Sequence, residues 1–161
     1  GDPEPADIAV SDDGSRIYWT CRTAGVIVRA DRIATNTPRI QSMSRTNIGD
    51  KVDMNLVAPT EAGKMYLAAT AGGVGPIPVD TRYLALAGDG LFVATIQNMG
   101  APFFGGYNGM LDGSGNAMAS IQLPNDPALR DLRLFTGFVT LDNTAPSGIG
   151  ALSSTFRFQI Q

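Results

Sequence analysis

The sequence predicts an all-β protein: an antiparallel β-sandwich, Ig-like or jelly-roll-like, carrying an N-terminal group of about three strands. Three observations lead there. Several segments alternate apolar and polar residues with the period of two that half-buried strands require. Glycine (19) and proline (10) are frequent and fall between those segments, where turns need them. Charged residues make up 17% of the 161, against roughly a quarter in typical soluble domains. The shortfall is in Lys and Glu, of which only Lys51, Lys64, Glu4 and Glu61 occur. Helices usually solvate their outer faces with these long side chains, and this chain has few of them.

Taken in order, residues 1–40 read as three short strands. Ile8-Ala9-Val10 is followed by a turn at Asp12-Asp13-Gly14-Ser15, then by Arg16-Ile17-Tyr18-Trp19-Thr20, and the group ends near Val26–Asp31. Residues 33–47 are polar, rich in Thr, Ser and Asn, and contain Pro38; they read as a linker or a loosely held strand, with the linker proper at 41–48. From Gly49 to Gln161 the strand spacing is regular, which predicts seven to nine antiparallel strands. Segment 52–57 alternates, with Val52, Met54 and Leu56 on one face. Segments 64–68 and 83–86 are shorter candidates. Segments 90–96 and 134–141 are more continuously apolar and read as central strands. Segment 117–123 alternates again. So does 154–161, where Phe156, Phe158 and Ile160 face inward and Thr155, Arg157 and Gln159 face water.

The turns have their own chemistry. Asp89-Gly90, and the run Asp112-Gly113 after segment 107–111, supply the positive φ of hairpin turns. Glycine-rich loops are expected at 71–76 and 99–106. The one helical signal is brief: Asp126 caps, Pro127 suits the first helical position, and 128–132 adds about one turn.

Segment 48–161 resembles a β-sandwich domain found at the C-termini of large secreted proteins of planctomycetes and related bacteria. The matching features are Ala62-Gly63-Lys64-Met65-Tyr66, Gly109-Met110-Leu111-Asp112 with Gly115-Asn116-Ala117, Leu123-Pro124 through Pro127-Ala128-Leu129, and Phe138-Val139-Thr140-Leu141-Asp142. The resemblance implies a secreted bacterial context and no catalytic residues. Residues 5–33 resemble one blade of a bacterial surface-protein β-propeller, carried by Asp7–Thr20 and Gly25–Asp31. A single blade cannot bury both faces, so that resemblance implies a parent chain or partner that covers it.

Composition excludes several functions. The chain has no His, which removes Ser-His-Asp and Cys-His nucleophiles and every His-ligated metal. Cys21 is alone and reads as a small buried apolar residue; Arg22 beside it favours the thiolate, but there is no His to act as the base of Cys21. Glycines 72, 73 and 75 do not open a helix after a strand, so no phosphate cradle is expected. The net charge of −3 and the absence of a basic stripe argue against nucleic acid. No apolar run is long enough for a membrane span. Asp112, Ser114 and Asn116 have the spacing that begins a calcium loop, but Ala117 and Leu123 replace its glycine and closing acid. Asp12 and Asp13 likewise read as turn residues. Lys64 reads as solvated rather than as half of a Ser–Lys dyad. No enzyme, metal or cofactor is therefore expected.

The expected site is a surface. Phe103, Phe104 and Tyr107, flanked by glycines, offer stacking area to a glycan or apolar anchors to a protein, or else plug one end of the sandwich. Trp19 offers a ligand platform or belongs to the first sheet's core. The expected role is that of a non-catalytic module of a secreted or cell-surface bacterial protein, acting in attachment, spacing or assembly. Two alternatives stand beside it: a self-assembling subunit joined by strand addition through the N-terminal segment, and a carbohydrate-binding module. Expected partners are another protein, a preceding domain of the same parent, further copies of the chain, or a glycan.

Overall fold

The computed structural model describes residues 36–42 and 44–161 in full, and before them the backbone of three strands. The chain divides into two units, Gly1–Thr35 and Asn36–Gln161.

In the first unit, β1 (Pro5–Val10), β2 (Arg16–Cys21) and β3 (Val26–Asp31) form an antiparallel meander in the order β1-β2-β3. Trp19 lies on β2, opposite Ile8 on one side and Val28 on the other. Its side chain and that of Cys21, like the turn at Asp12 and Asp13, lie outside the described residues.

The second unit is an antiparallel sandwich. β4 (Arg39–Ser42) pairs with β5 (Lys51–Val57). A helical turn at Pro59–Glu61 leads into β6 (Met65–Ala71). A hairpin of β7 (Pro76–Val79) and β8 (Arg82–Ala85) precedes helix α1 (Gly90–Gln97). Then come β9 (Phe104–Gly105), β10 (Asn108–Met110), β11 (Asn116–Gln122), a helical turn at Pro127–Leu129, β12 (Arg133–Leu141), β13 (Ile149–Leu152) and β14 (Phe156–Gln159).

Two sheets make the sandwich. One has the order β4-β5-β11-β9. In the other, β10-β6-β12 are consecutive and the far edge of β12 is shared: β14 takes its first half and β13 its second. The alternation in β5 does what the period predicts. Val52, Met54 and Leu56 are fully buried, each gaining about 1.5–3 kcal/mol on leaving water. They meet Tyr66, Ala68, Leu134, Phe138 and Phe158 from the facing sheet.

A second apolar cluster explains why β12 is apolar throughout. Ala69, Ala71 and Val139 point away from the sandwich and are covered by Leu84 and Leu86, with Ile77 and Phe92 packed against them. Thus β6 and β12 are buried on both faces, the hairpin and α1 forming a partial third layer. A Cβ at Gly137 would sit 3.1 Å from Leu84 Cδ1, so this layer lies close on the sheet.

Segment 90–96, expected as a central strand, is instead helical. Asp89 is extended, at φ −86 and ψ 180, and its carboxylate accepts the amide N–H of Phe92 at 2.9 Å and that of Gly72 at 2.7 Å. It is an N-cap rather than the first half of a hairpin turn. The helix then splits its apolar side chains, Leu91 joining the first cluster and Phe92 the second.

The turn after β10 is also not a hairpin within one sheet. β10 pairs with β6 and β11 with β5, so residues 111–115 carry the chain from one sheet to the other. The positive φ falls on Gly115 (+75), not Gly113, and a Cβ there would collide with the carbonyl of Ala58. The Asp126–Pro127 helical turn forms as expected, the Asp126 carboxylate accepting the Ala128 N–H at 2.9 Å.

The segment expected as a linker is fastened to the sandwich. Ile40 is buried under β4–β5 pairing. Ser154 N–H donates to the Pro38 carbonyl at 2.9 Å, and the Thr46 hydroxyl to that of Gln159 at 2.6 Å. Gln161 N–H donates to Thr46, and Ile48 N–H to Gln161. Part of the segment is thus the strand that was the other expected reading, and backbone groups and a threonine hydroxyl make most of its attachment.

Candidate functional site

Of the expected aromatic surface, the structure keeps one residue largely exposed and puts one wholly inside. β9 pairs with β11, Phe104 standing opposite Ile121 and Gly105 opposite Ser120. At Gly106 the backbone takes φ +64, and a Cβ would strike the carbonyl of Met118. That left-handed step turns the next residue inward. Tyr107 is fully buried, while Phe103 is 56% exposed and Phe104 is half-buried between them. The rings of Phe104 and Tyr107 lie 5.2 Å apart, tilted by 56°.

Tyr107 therefore belongs to the core and not to a binding surface. Its hydroxyl lies 2.7 Å from Thr70 Oγ1, which lies 2.8 Å from Thr136 Oγ1. Thr70 and Thr136 face each other across β6 and β12. Burial pushes the phenol pKa up to about 12, with the threonine hydrogen bonds opposing the shift. Aromatic type alone signalled a surface; only the turn at Gly106 decides which way the ring points.

Phe103 and Phe104 border an open apolar cleft of about 330 Å³ at one end of the sandwich. Its floor is Ile121, Leu123, Leu134 and Ile160, all buried. Leu91 of α1, Phe104 and Leu129 make walls, and Phe103, Leu132 and Pro124 form the exposed rim. One lining side chain is polar. Gln122 donates through Nε2 to the carbonyls of Gly49 at 2.9 Å and Leu123 at 3.3 Å. Among the described residues, no titratable side chain lines the cleft. Leu129 and Leu132 reach it because the Asp126 cap starts a helical turn there, and Leu91 because Asp89 starts α1.

A second, polar depression of about 390 Å³ is lined by Lys64, Met65, Leu141, Asp142, Asn143 and Thr144. Lys64, expected to be solvated, is held by two carboxylates: Asp142 Oδ2 at 2.8 Å and Glu61 Oε2 at 3.0 Å. Thr140 donates to Glu61 at 2.9 Å, and Thr144 donates to Asp142 through its hydroxyl at 2.6 Å and its amide at 2.9 Å. Hydrogen bonds donated by Lys64 to Asp142 and Glu61 raise its pKa, and Lys64 holds the Asp142 carboxyl well below the usual range. A lysine stabilised as ammonium is a poor base.

Asp112 is likewise used by its own loop. Its Oδ1 accepts the N–H groups of Ser114 at 2.8 Å and Asn116 at 2.9 Å, Asn116 being the larger cause of its lowered pKa. Among the described residues, no three Cys, Asp or Glu side chains converge as a metal set, and no helix is long and apolar enough to cross a membrane. No family model and no curated protein matches the sequence.

Proposed function

We propose that the chain is a non-catalytic β-sandwich module of a secreted or cell-surface bacterial protein, acting in attachment, spacing or assembly. One observation carries this reading: the apolar cleft presents hydrocarbon and no titratable group, so it is equipped to hold a partner and not to transform one. The charged cluster around Lys64 is neutralised by its own members. The resemblance of 48–161 to C-terminal sandwich domains of large secreted proteins supports the same reading. A glycan platform is less favoured, because Tyr107 is in the core and, among the described residues, leaves Phe103 without a second exposed ring beside it.

The test is to assay the whole chain against chromogenic ester, glycoside and peptide substrates. No turnover is expected. Turnover abolished by a substitution in the chain would overturn the reading.

Self-assembly by strand addition is a second reading, favoured by strand lengths. The sandwich's edge strands are short, β9 having two residues, β10 three and β4 four. Short edges resist pairing with a further strand. The two outer strands of the first unit, β1 and β3, have six residues each. If assembly occurs by this route, those are the edges suited to it. Sedimentation velocity over a wide concentration range tests this; a strict monomer throughout would sink it.

A further inference from the structure

We infer that the outward face of the β12–β14 pair is a docking surface for an acidic polysaccharide, bound through its sulfate or carboxylate groups. The inference goes beyond the non-catalytic reading and does not depend on it.

The pairing of charges points to this face. Among the described residues, every carboxylate already has a partner in a turn, a cap, a side-chain amide or an ion pair. Lys51, Lys64 and Arg82 are held in ion pairs. Arg45, Arg130, Arg133 and Arg157 are exposed, and among the described residues they make no hydrogen bond or ion pair. The sequence scatters these four, and the fold gathers them around the end of β14. Arg133 stands opposite Gln159, and Phe135 opposite Arg157. Opposed residues, and residues two apart, share one face of a sheet. Leu134 and Phe158 between them are buried in the sandwich, so Arg133 and Arg157 both stand on the outward face. They are diagonal neighbours, roughly 7–8 Å apart at the backbone and within reach of one another's side chains. Arg130 precedes Asp131, whose N–H donates to Ile160, and Arg45 precedes Thr46, whose carbonyl accepts the Gln161 N–H.

Charge complementarity selects the partner. Like charges set side by side repel, and an anion between them relieves that repulsion. The nearby Asp131 already accepts Gln159 Nε2 at 2.9 Å. Each guanidinium is a planar fork that grips a carboxylate or sulfate through two N–H donors. Contacts this exposed are individually weak, so a chain that repeats its anionic group gains most from several of them. The surface lacks what other polyanions and partners need. Phe135, the one ring in the two opposed pairs, is half-buried against the cluster of Leu84 and Leu86, which leaves no platform there for stacked bases. A protein partner would find guanidinium and amide groups where an apolar anchor belongs. Charge, not ring stacking, does the recognising.

The probes are fluorescein-labelled dextran sulfate and polygalacturonate, which carry the two anionic groups, and neutral dextran. Fluorescence anisotropy with the whole chain should show saturable binding to at least one polyanion and none to dextran. Affinity should fall at least about tenfold between roughly 50 and 200 mM salt. Replacing both Arg133→Gln and Arg157→Gln should weaken binding about tenfold or more. Lys51→Gln removes an exposed cation on β5, already paired with Asp53, and should leave affinity unchanged. The double variant should melt no lower than the parent.

Binding to neither polyanion would overturn the inference. So would equal weakening by Lys51→Gln, which would mean that net charge and not this face attracts the polymer. Tighter binding to single-stranded DNA of matched length would reassign the surface to nucleic acid. A lowered melting temperature in the double variant with unchanged polyanion binding would mean that carboxylates of the chain itself occupy the arginines, and would overturn the inference as well.

Discussion

Replacing Tyr107 with Phe removes one oxygen from the centre of the sandwich, and its consequence should reverse sign with pH. At neutral pH the hydroxyl contributes a hydrogen bond to Thr70 in a fully buried site. A net hydrogen bond is worth about 1 kcal/mol, and Thr70 keeps Thr136 as partner, so the variant should be destabilised by about that much. At high pH the phenol becomes a liability. The unfolded chain releases its proton near pH 10, whereas the folded chain retains it to about 12. Between those values the native state binds more protons, so stability falls as pH rises. Each unit is worth about 1.4 kcal/mol, giving a total loss of about 2–3 kcal/mol. The Phe variant has no such loss. The two proteins should therefore be equally stable near about pH 11, and the variant should be the more stable above it. Urea unfolding followed by far-ultraviolet circular dichroism, run on both proteins from pH 8 to 12, reads the gap directly. Lys64 and Tyr66, whose pKa values are also raised, are common to both chains. A gap that stays constant or widens with pH would refute the reasoning.

Other perturbations test other links. Gly115→Ala should cost more than about 3 kcal/mol, combining positive-φ strain with a collision against Ala58; Gly63→Ala, also at positive φ but with nothing within 4 Å, should cost about 1 kcal/mol by urea unfolding. Asp89→Ala should cost about 1–2 kcal/mol through loss of the α1 cap, and hydrogen exchange should accelerate at Phe92 and Gly72. Lys64→Met should flatten the acid limb of the stability profile. Asp142 is held below its ordinary pKa, so its contribution is present above about pH 4 and lost as pH falls further; without Lys64 there is less to lose.

Where one face of an element met the core, its sequence declared it. Val52, Met54 and Leu56 mark β5, and Phe158 and Ile160 mark the last inward positions. Ambiguity began where both faces were covered. Segments 90–96 and 134–141 are similarly apolar, yet one is a helix and the other a strand, because continuous apolarity carries no period. The deciding residue was Asp89, which serves a hairpin turn or an N-cap with the same side chain. The cleft was half legible. Phe103 and Phe104 were recognisable as candidates, but Leu91, Leu129 and Leu132 join them only through two capped helical segments far apart in sequence. Nothing local distinguished Tyr107 from its neighbours before the Gly106 turn placed it.

The pairing of β5 with β11 and of β6 with β12 joins segments separated by about half of the second unit. During synthesis β5 and β6 emerge long before their partners, and neither can close its sheet until β11 and β12 follow. Such distant pairing makes folding slow and late. The polypeptide should therefore stay threadable over most of its length, and a stalled or truncated product ending before Arg133 should have no sandwich at all.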